Sequence, residues 1–174
     1  MIEHVLAAAG HLSPASTTIV IGHLGSAVRG ALAAHGHIEY VVQEPQLGTA
    51  HALLTTEPLL RGERGTLVLL SGDVPALQPS TLESLVHTHA SRGAALTVLT
   101  AQVPNPHGYG RIVREDGELA RIVEEKDATD AQRTITEINA GIYAFDMAGL
   151  FDAVHGIGSS NAQGEYYLTD LVGI

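Results

Sequence analysis

The chain has 174 residues, 45% of them apolar and only 16% charged, which suits one globular domain burying roughly 70% of its unfolded surface and does not suit disorder. Nineteen acidic residues against nine basic ones give a formal net charge of −10, with Lys126 the only lysine, so a nucleic-acid-binding role, which needs a basic face, is excluded. No apolar run approaches the ~20 residues of a membrane helix, Met1-Ile2-Glu3-His4 lacks the basic start of a signal peptide, and zero cysteine excludes disulfides and thiolate metal sites while being compatible with a cytoplasmic protein.

Residues 1–9 read as a helix, an odd opening for a βαβ chain, which should start on a strand. A strand is predicted over 17–21, then a helix in which Val28, Ala31 and Leu32 share a face before Gly36, then a strand over 38–42. The next stretch, Gln43-Glu44-Pro45-Gln46-Leu47-Gly48-Thr49-Ala50-His51-Ala52, leads from that strand into an apolar helix. A Gly-Thr pair at such a crossing lets a flat ligand approach the backbone, and the new helix offers free N–H groups. An ordinary turn and helix cap is the plain alternative. Residues 66–70 form the next predicted strand, and Ser71-Gly72-Asp73-Val74-Pro75 places a carboxylate just beyond it. From there one acid, phosphate oxygens and water can complete the octahedron of Mg2+, although a simple Gly-Asp turn also accounts for the residues. Leu82, Leu85, Val86 and His89 mark a helix, with Ser80 and Glu83 as its capping box and Gly93 as its stop, before a strand over 94–100.

Later, Asn105-Pro106-His107-Gly108-Tyr109-Gly110-Arg111-Ile112 forms a loop whose Gly108 and Gly110 permit close backbone approach. Residues 111–114 and 119–124 read as a hairpin about a Glu115-Asp116-Gly117-Glu118 turn. Glu124 can accept hydrogen bonds from sugar hydroxyls, whereas Glu125 and Asp127 read as a solvated strand end. The strand predicted over 138–145 carries one amide, Asn139, which must find partners, in a ligand or in a backbone cap. Residues 161–170 are expected to open the last helix, mainly as structure, with Asn161 or Gln163 near the ligand. The alternation predicts an α/β fold, a mixed but mostly parallel sheet with helices on both faces and a β-rich lid after it, with ligands at the carboxyl ends of the strands. Ten histidines show no metal-ligand spacing, and neither a P-loop nor a Gly-x-Ser-x-Gly elbow occurs.

Gln43…Gly48-Thr49, Ser71-Gly72-Asp73, Gly108-Tyr109-Gly110-Arg111-Ile112, Glu124, Glu137-Ile138-Asn139 and Asn161-Ala162-Gln163-Gly164-Glu165-Tyr166-Tyr167 occur in an order and spacing that resemble the sugar-1-phosphate nucleotidyltransferases. Within them, the chain from about 2 to 174 is similar to the uridylyltransferase domain of bacterial bifunctional N-acetylglucosamine-1-phosphate uridylyltransferases / glucosamine-1-phosphate acetyltransferases. The resemblance implies a Rossmann-like nucleotidyltransferase fold and transfer of UMP from UTP to N-acetylglucosamine 1-phosphate, giving UDP-N-acetylglucosamine, a cell-wall and lipopolysaccharide precursor, and pyrophosphate. By it, Gln43 and the Gly48-Thr49 backbone read uracil, Ser71 and Gly72 join the substrate contacts, and Asp73 holds Mg2+ as the catalytic carboxylate. Gly110, Glu124 and Asn139 hold the sugar, and Ser71 stands where many relatives carry Tyr, each offering a hydroxyl. The sugar phosphate is itself the nucleophile, so catalysis rests on positioning and charge neutralisation.

The family's Gly-x-Gly-Thr-Arg-Met loop and following Pro-Lys, which grip the phosphates, do not occur in the sequence. The second metal ligand, an asparagine, and the β-helix acetyltransferase through which the family trimerises are expected beyond Ile174. Residues 1–174 are therefore expected to be an internal, partial nucleotidyltransferase domain, inactive alone, and molten or aggregating unless something fills the place of a missing central strand. Two other readings remain at this point: a transferase for another base or sugar, and a non-catalytic paralogue that binds nucleotide or a partner.

Overall fold

In a computed structural model, which describes residues 1–23 and 25–174, the elements run α1 (Ile2–Gly10), β1 (Thr18–Ile21), α2 (Gly25–Ala31), β2 (Glu39–Val42), α3 (Thr49–Leu54), α4 (Glu57–Leu60), β3 (Thr66–Leu69), α5 (Pro79–Arg92), β4 (Leu96–Gln102), β5 (Arg111–Glu115), β6 (Glu118–Val123), α6 (Asp130–Arg133), β7 (Glu137–Asp146), α7 (Leu150–His155) and a closing 3-10 helix (Leu168–Gly173). Strand β7 organises them, because alternate side chains of a strand point to opposite faces. On one face Ile142 and Ala144 pack with Ala8 of α1 and with Leu82 and Leu85 of α5. On the other, Tyr143 and Phe145 stack with centroids 5.7 Å apart and meet Ala50 and Leu53 of α3, Leu150, Phe151 and Val154 of α7, and Leu168. Helices thus cover both faces of the sheet, as an α/β chain should.

The pairing differs from the expected mostly parallel sheet. Among the described residues only β1 and β2 pair in parallel, and they form a separate two-stranded sheet. In the five-stranded sheet every pairing is antiparallel: β3 and β4 flank β7, β5 joins β7 at Arg111–Ile138, and β6 pairs β5. Since β3 and β4 both oppose β7, they run in one direction, with β7 inserted between them. Alternation of strands and helices cannot reveal such an insertion, because the inserting strand arrives some forty residues after β4 begins. The hairpin expected as a lid is real, but it continues the main sheet and buries Ile112 and Ile122 in the core. Its turn has φ of 51° at Asp116 and 86° at Gly117, the left-handed pair that matches strand twist.

Two expected helix starts are corrected. Ser80 and Glu83 do not cap α5: the helix begins at Pro79, with Gln78 as N-cap and no side-chain capping bond. Proline fits the first helical position because its fixed φ is already helical and its missing N–H has no partner there anyway. Gly93 does end the helix, at φ 56°. Residues 161–164 do not open a helix either: Asn161 Oδ1 accepts from the N–H groups of Gln163 and Glu165, each at 3.2 Å, and folds the chain into a turn. The 3-10 helix follows at Leu168.

The β1–α2–β2 unit contributes little to the core. Among its described residues, Ile21 and Leu32 are buried, and neither belongs to the two packed clusters. Segments with few buried apolar contacts open at low free energy. Amides of β1 and β2 are therefore expected to exchange with deuterium at least about tenfold faster than those of β7. Equal protection in an exchange experiment would contradict this division of the fold.

Candidate functional site

Gln43 continues the β1–β2 ladder, its N–H donating to Ile21 O at 2.8 Å, and its side chain turns inward to 8% exposure. There Nε2 donates to Gly48 O at 3.0 Å and lies 2.9 Å from His51 Nδ1. Gly48 sits at φ 109°, ψ 178°, where a Cβ would lie 2.6 Å from Tyr166 O and 2.9 Å from Tyr166 N. The close backbone approach expected at Gly48 is thus made by the chain's own Tyr166. The Ala50 N–H donates to Tyr166 O at 2.9 Å, Tyr166 N–H to Leu47 O at 2.8 Å, and Leu168 N–H to Thr49 Oγ1 at 2.9 Å. The N–H of Ala50, expected to be free for a ligand, is therefore engaged.

A second cluster forms where β7 passes the 105–110 loop. The Asn139 N–H donates to Gly110 O at 2.9 Å. Its Oδ1 accepts from Gly141 N at 3.0 Å, and its Nδ2 donates to Tyr143 OH at 2.6 Å. The amide thus has a backbone cap, one of the two fates expected for it, and keeps one N–H and one lone pair for a further partner. Gly141 adopts φ 72°, with Ser71 Oγ 3.2 Å from its Cβ position, and Ser71 Oγ reaches Gly141 O at 3.4 Å. A Cβ on Gly110 would stand 3.5 Å from both carboxylate oxygens of Glu124. Ser71, Gly110, Glu124 and Asn139 therefore come together.

The segment after the Asn161 turn ties the two clusters. Tyr166 and Leu168 bond the Leu47–Thr49 backbone region as described, and one residue later Thr169 Oγ1 donates to Glu124 Oε1 at 3.2 Å. Asp127 Oδ1 accepts from Ala162 N at 2.9 Å, and Lys126 bonds Gln163, anchoring the other end of the turn. Asp127 is exposed, as expected of a solvated strand end, and also ties the loop through this bond.

Glu125, by contrast, is corrected. It pairs at 2.6 Å with the guanidinium of Arg111, which is 1% exposed, and accepts the Gly108 N–H at 3.3 Å. Arg111 donates to Tyr109 O as well, so one ion pair fixes the glycine loop from beneath. Arg111 pulls the Glu125 pKa below the usual carboxylate range. A buried guanidinium needs a counter-charge, and the strand pattern alone could not show which neighbouring acid would supply it.

Burial raises the Glu124 pKa; the Thr169 hydroxyl opposes this and the negative charges of Asp170 and Asp127 reinforce it. Burial likewise pushes the Tyr143 phenol up to about 12, so it stays neutral as a hydrogen-bonding group. A carboxyl with a raised folded pKa binds protons more readily folded than unfolded, so stability falls as pH rises from the unfolded pKa through the folded one. Glu124→Gln is accordingly expected to raise Tm at pH 7 by about 2–4 °C, the response of a chain this size to about 1 kcal/mol. The gain should vanish at pH 4, where the wild-type carboxyl is largely protonated. A neutral or lower Tm at pH 7 would contradict this account of Glu124.

Asp73 lies two residues past Ser71, exposed, with no hydrogen-bond or ion-pair partner among the described residues. Gly72 beside it faces Ile2 of α1. Among the described residues no group of three metal-ligating side chains assembles. An unpaired carboxylate after the half-buried strand β3 fits one position on a hard cation whose other ligands are phosphate oxygens and water. His51, Tyr143 and Thr169 were not foreseen from sequence. Tyr143 was detectable, since Asn139, Gly141 and Tyr143 share one strand face at a spacing of two; Thr169 carries no local signal. One hollow of about 490 Å³, between Arg61–Gly65 and Asp146–Asp152, touches none of these residues.

Residues 5–172 match the family described as Nucleotidyl transferase. The chain is 47% identical to the bifunctional protein GlmU of Geobacter metallireducens over 99% of its length, and 45% and 48% identical to those of Streptococcus suis and Brevibacillus brevis over all of it. It spans only 36–38% of the length of these relatives. The fold aligns with a UDP-glucose pyrophosphorylase complexed with UDP-glucose at a TM-score of 0.75 and 19% identity, covering 98% of this chain and 72% of that one. A solved structure of a Putative Glucose-1-Phosphate Thymidylyltransferase from Bacillus anthracis aligns at 0.73 and 21%, covering 98% and 67%.

Proposed function

This chain belongs to the nucleotidyl transferase family, and on that premise we propose that residues 1–174 are part of a domain that transfers UMP from UTP to N-acetylglucosamine 1-phosphate, releasing UDP-N-acetylglucosamine and pyrophosphate. The observation that carries this reading is the segment 165–169, which binds the Gly48 loop at one end and Glu124 at the other and so spaces a base-reading loop from a sugar-holding cluster. Identity of 45–48% to proteins described as bifunctional GlmU supports the choice of base and sugar.

In this reading Gln43, with the Gly48 and Thr49 backbone, holds uracil, and Ser71 and Gly72 lie along the nucleotide. Gly110, Glu124 and Asn139 orient the sugar so that its phosphate meets the α-phosphorus in line, which converts a bimolecular encounter into a positioned one. Members of the family generally use a divalent metal. Here Asp73 would hold it, as Mg2+, which when bound neutralises developing phosphate charge. No helix among the described residues is long and apolar enough to cross a membrane. The whole protein is proposed to be a cytoplasmic homotrimer assembled through a C-terminal β-helix.

The two cations beside the sugar cluster, Arg111 and Lys126, are engaged by Glu125 and Gln163. A triphosphate therefore needs basic groups from elsewhere in the protein. The isolated chain is expected to release no pyrophosphate from UTP and N-acetylglucosamine 1-phosphate, whereas a protein of the relatives' full length carrying this sequence should do so with turnover. Steady pyrophosphate release by the isolated chain would contradict the first half. Those engaged cations also favour a second reading, a non-catalytic nucleotide-binding protein, which uridine nucleotide binding without turnover at full length would establish.

A further inference from the structure

The hydrogen bonds around Gln43 fix which end of its amide a ligand meets. Gly48 O is a carbonyl and can only accept, so the atom 3.0 Å from it must be the amide nitrogen. The second N–H of that nitrogen is left for His51 Nδ1 at 2.9 Å. A ring nitrogen can accept only when unprotonated, so His51 carries its proton on Nε2. Both amide donors are then engaged, and Oε1 is the one function left, neither bonded nor sealed off among the described residues.

We propose that His51 is a positioning residue for base choice: it aims Gln43 Oε1 outward as a fixed acceptor, which suits a pyrimidine carrying an imide N3–H and disfavours one presenting a bare N3 lone pair. The inference rests on the proposed uridine-nucleotide reading. Uracil offers the imide donor and cytosine the lone pair at the same ring position, so one oriented oxygen separates them. With His51 removed, the bond to Gly48 O alone remains as a pivot, and Oε1 loses its aim. His51 touches no base itself; it acts through Gln43.

Two readouts, on a protein of the relatives' full length carrying this sequence, test this. The ring ¹⁵N shifts of His51 report its tautomer without any nucleotide, and an unprotonated Nδ1 with protonated Nε2 is expected. Affinities for UMP and CMP are then compared in wild type, His51→Asn and His51→Leu. Asparagine places an acceptor oxygen near the Nδ1 position and leucine places none. Wild type and His51→Asn are expected to share a preference for UMP, and His51→Leu to lose about tenfold of it, the weight of roughly one net hydrogen bond. A protonated Nδ1 in the folded chain overturns the inference even if the leucine variant fails to fold. Undiminished UMP preference in His51→Leu overturns it while leaving the uridine reading intact. A wild-type chain that binds neither nucleotide overturns both.

Discussion

Gly48→Ala is expected to lower Tm by about 6–12 °C, the response of a chain this size to about 3 kcal/mol. Two costs combine. At φ 109° and ψ 178° the backbone occupies a region that essentially only glycine adopts, worth about 1–3 kcal/mol for any other residue. The added methyl would also stand 2.6 Å and 2.9 Å from main-chain atoms of Tyr166, which cannot swing aside as a flexible side chain would. The backbone must separate there, breaking the Ala50–Tyr166 and Tyr166–Leu47 bonds that seat the 165–169 segment. Gly36→Ala is the control: its Cβ position meets nothing within 4 Å, and its φ is not positive. A loss below about 2 °C at Gly48 would show that the 165–169 segment is not held as described.

Asp73→Asn should behave in the opposite way. The carboxylate is exposed and unpaired among the described residues, so its replacement should leave Tm within about 2 °C. Its proposed role is electrostatic. Removing one preorganised charge-stabilising group typically costs about 10²–10³ in kcat, and loss of a metal ligand acts on the same charge. In a protein of the relatives' full length, steady-state UMP transfer should fall by that factor at unchanged Tm. Activity within threefold of wild type would remove Asp73 from the site.

Much of the local structure was legible because it rests on local causes. Gly93 ends α5 in the left-handed region, and Asp116-Gly117 makes the twist-matched turn, since few residues tolerate those dihedrals. Strand β7 was readable from its apolar run at 138–145, and its two-faced burial follows from period-two alternation. What was hidden depends on partners distant in sequence. That β7 lies between β3 and β4 is decided by packing on both its faces. The Ser80/Glu83 pattern is a valid capping signal that lost to Pro79, which starts the helix two positions earlier. Asn161 looked like a helix start but bonds its own backbone in a turn, an equally common use of the side chain.

The site shows the same division. Ser71, Gly110, Glu124 and Asn139 were singled out residue by residue, and the fold brings them together. Glu125 was set aside as surface charge because Arg111, fourteen positions earlier, had no visible reason to be buried. His51 went unnoticed for a similar reason: its value lies in the amide it faces.

The most direct test of the central claim is a map of backbone amide shifts on adding UDP-N-acetylglucosamine to the ¹⁵N-labelled chain. Perturbations should appear at Gln43, Gly48, Thr49, Gly110 and Asn139 together, with the 165–169 segment responding between them. No perturbation, or perturbation centred on the hollow between Arg61 and Asp152, would contradict the claim that these residues form one nucleotide-sugar site.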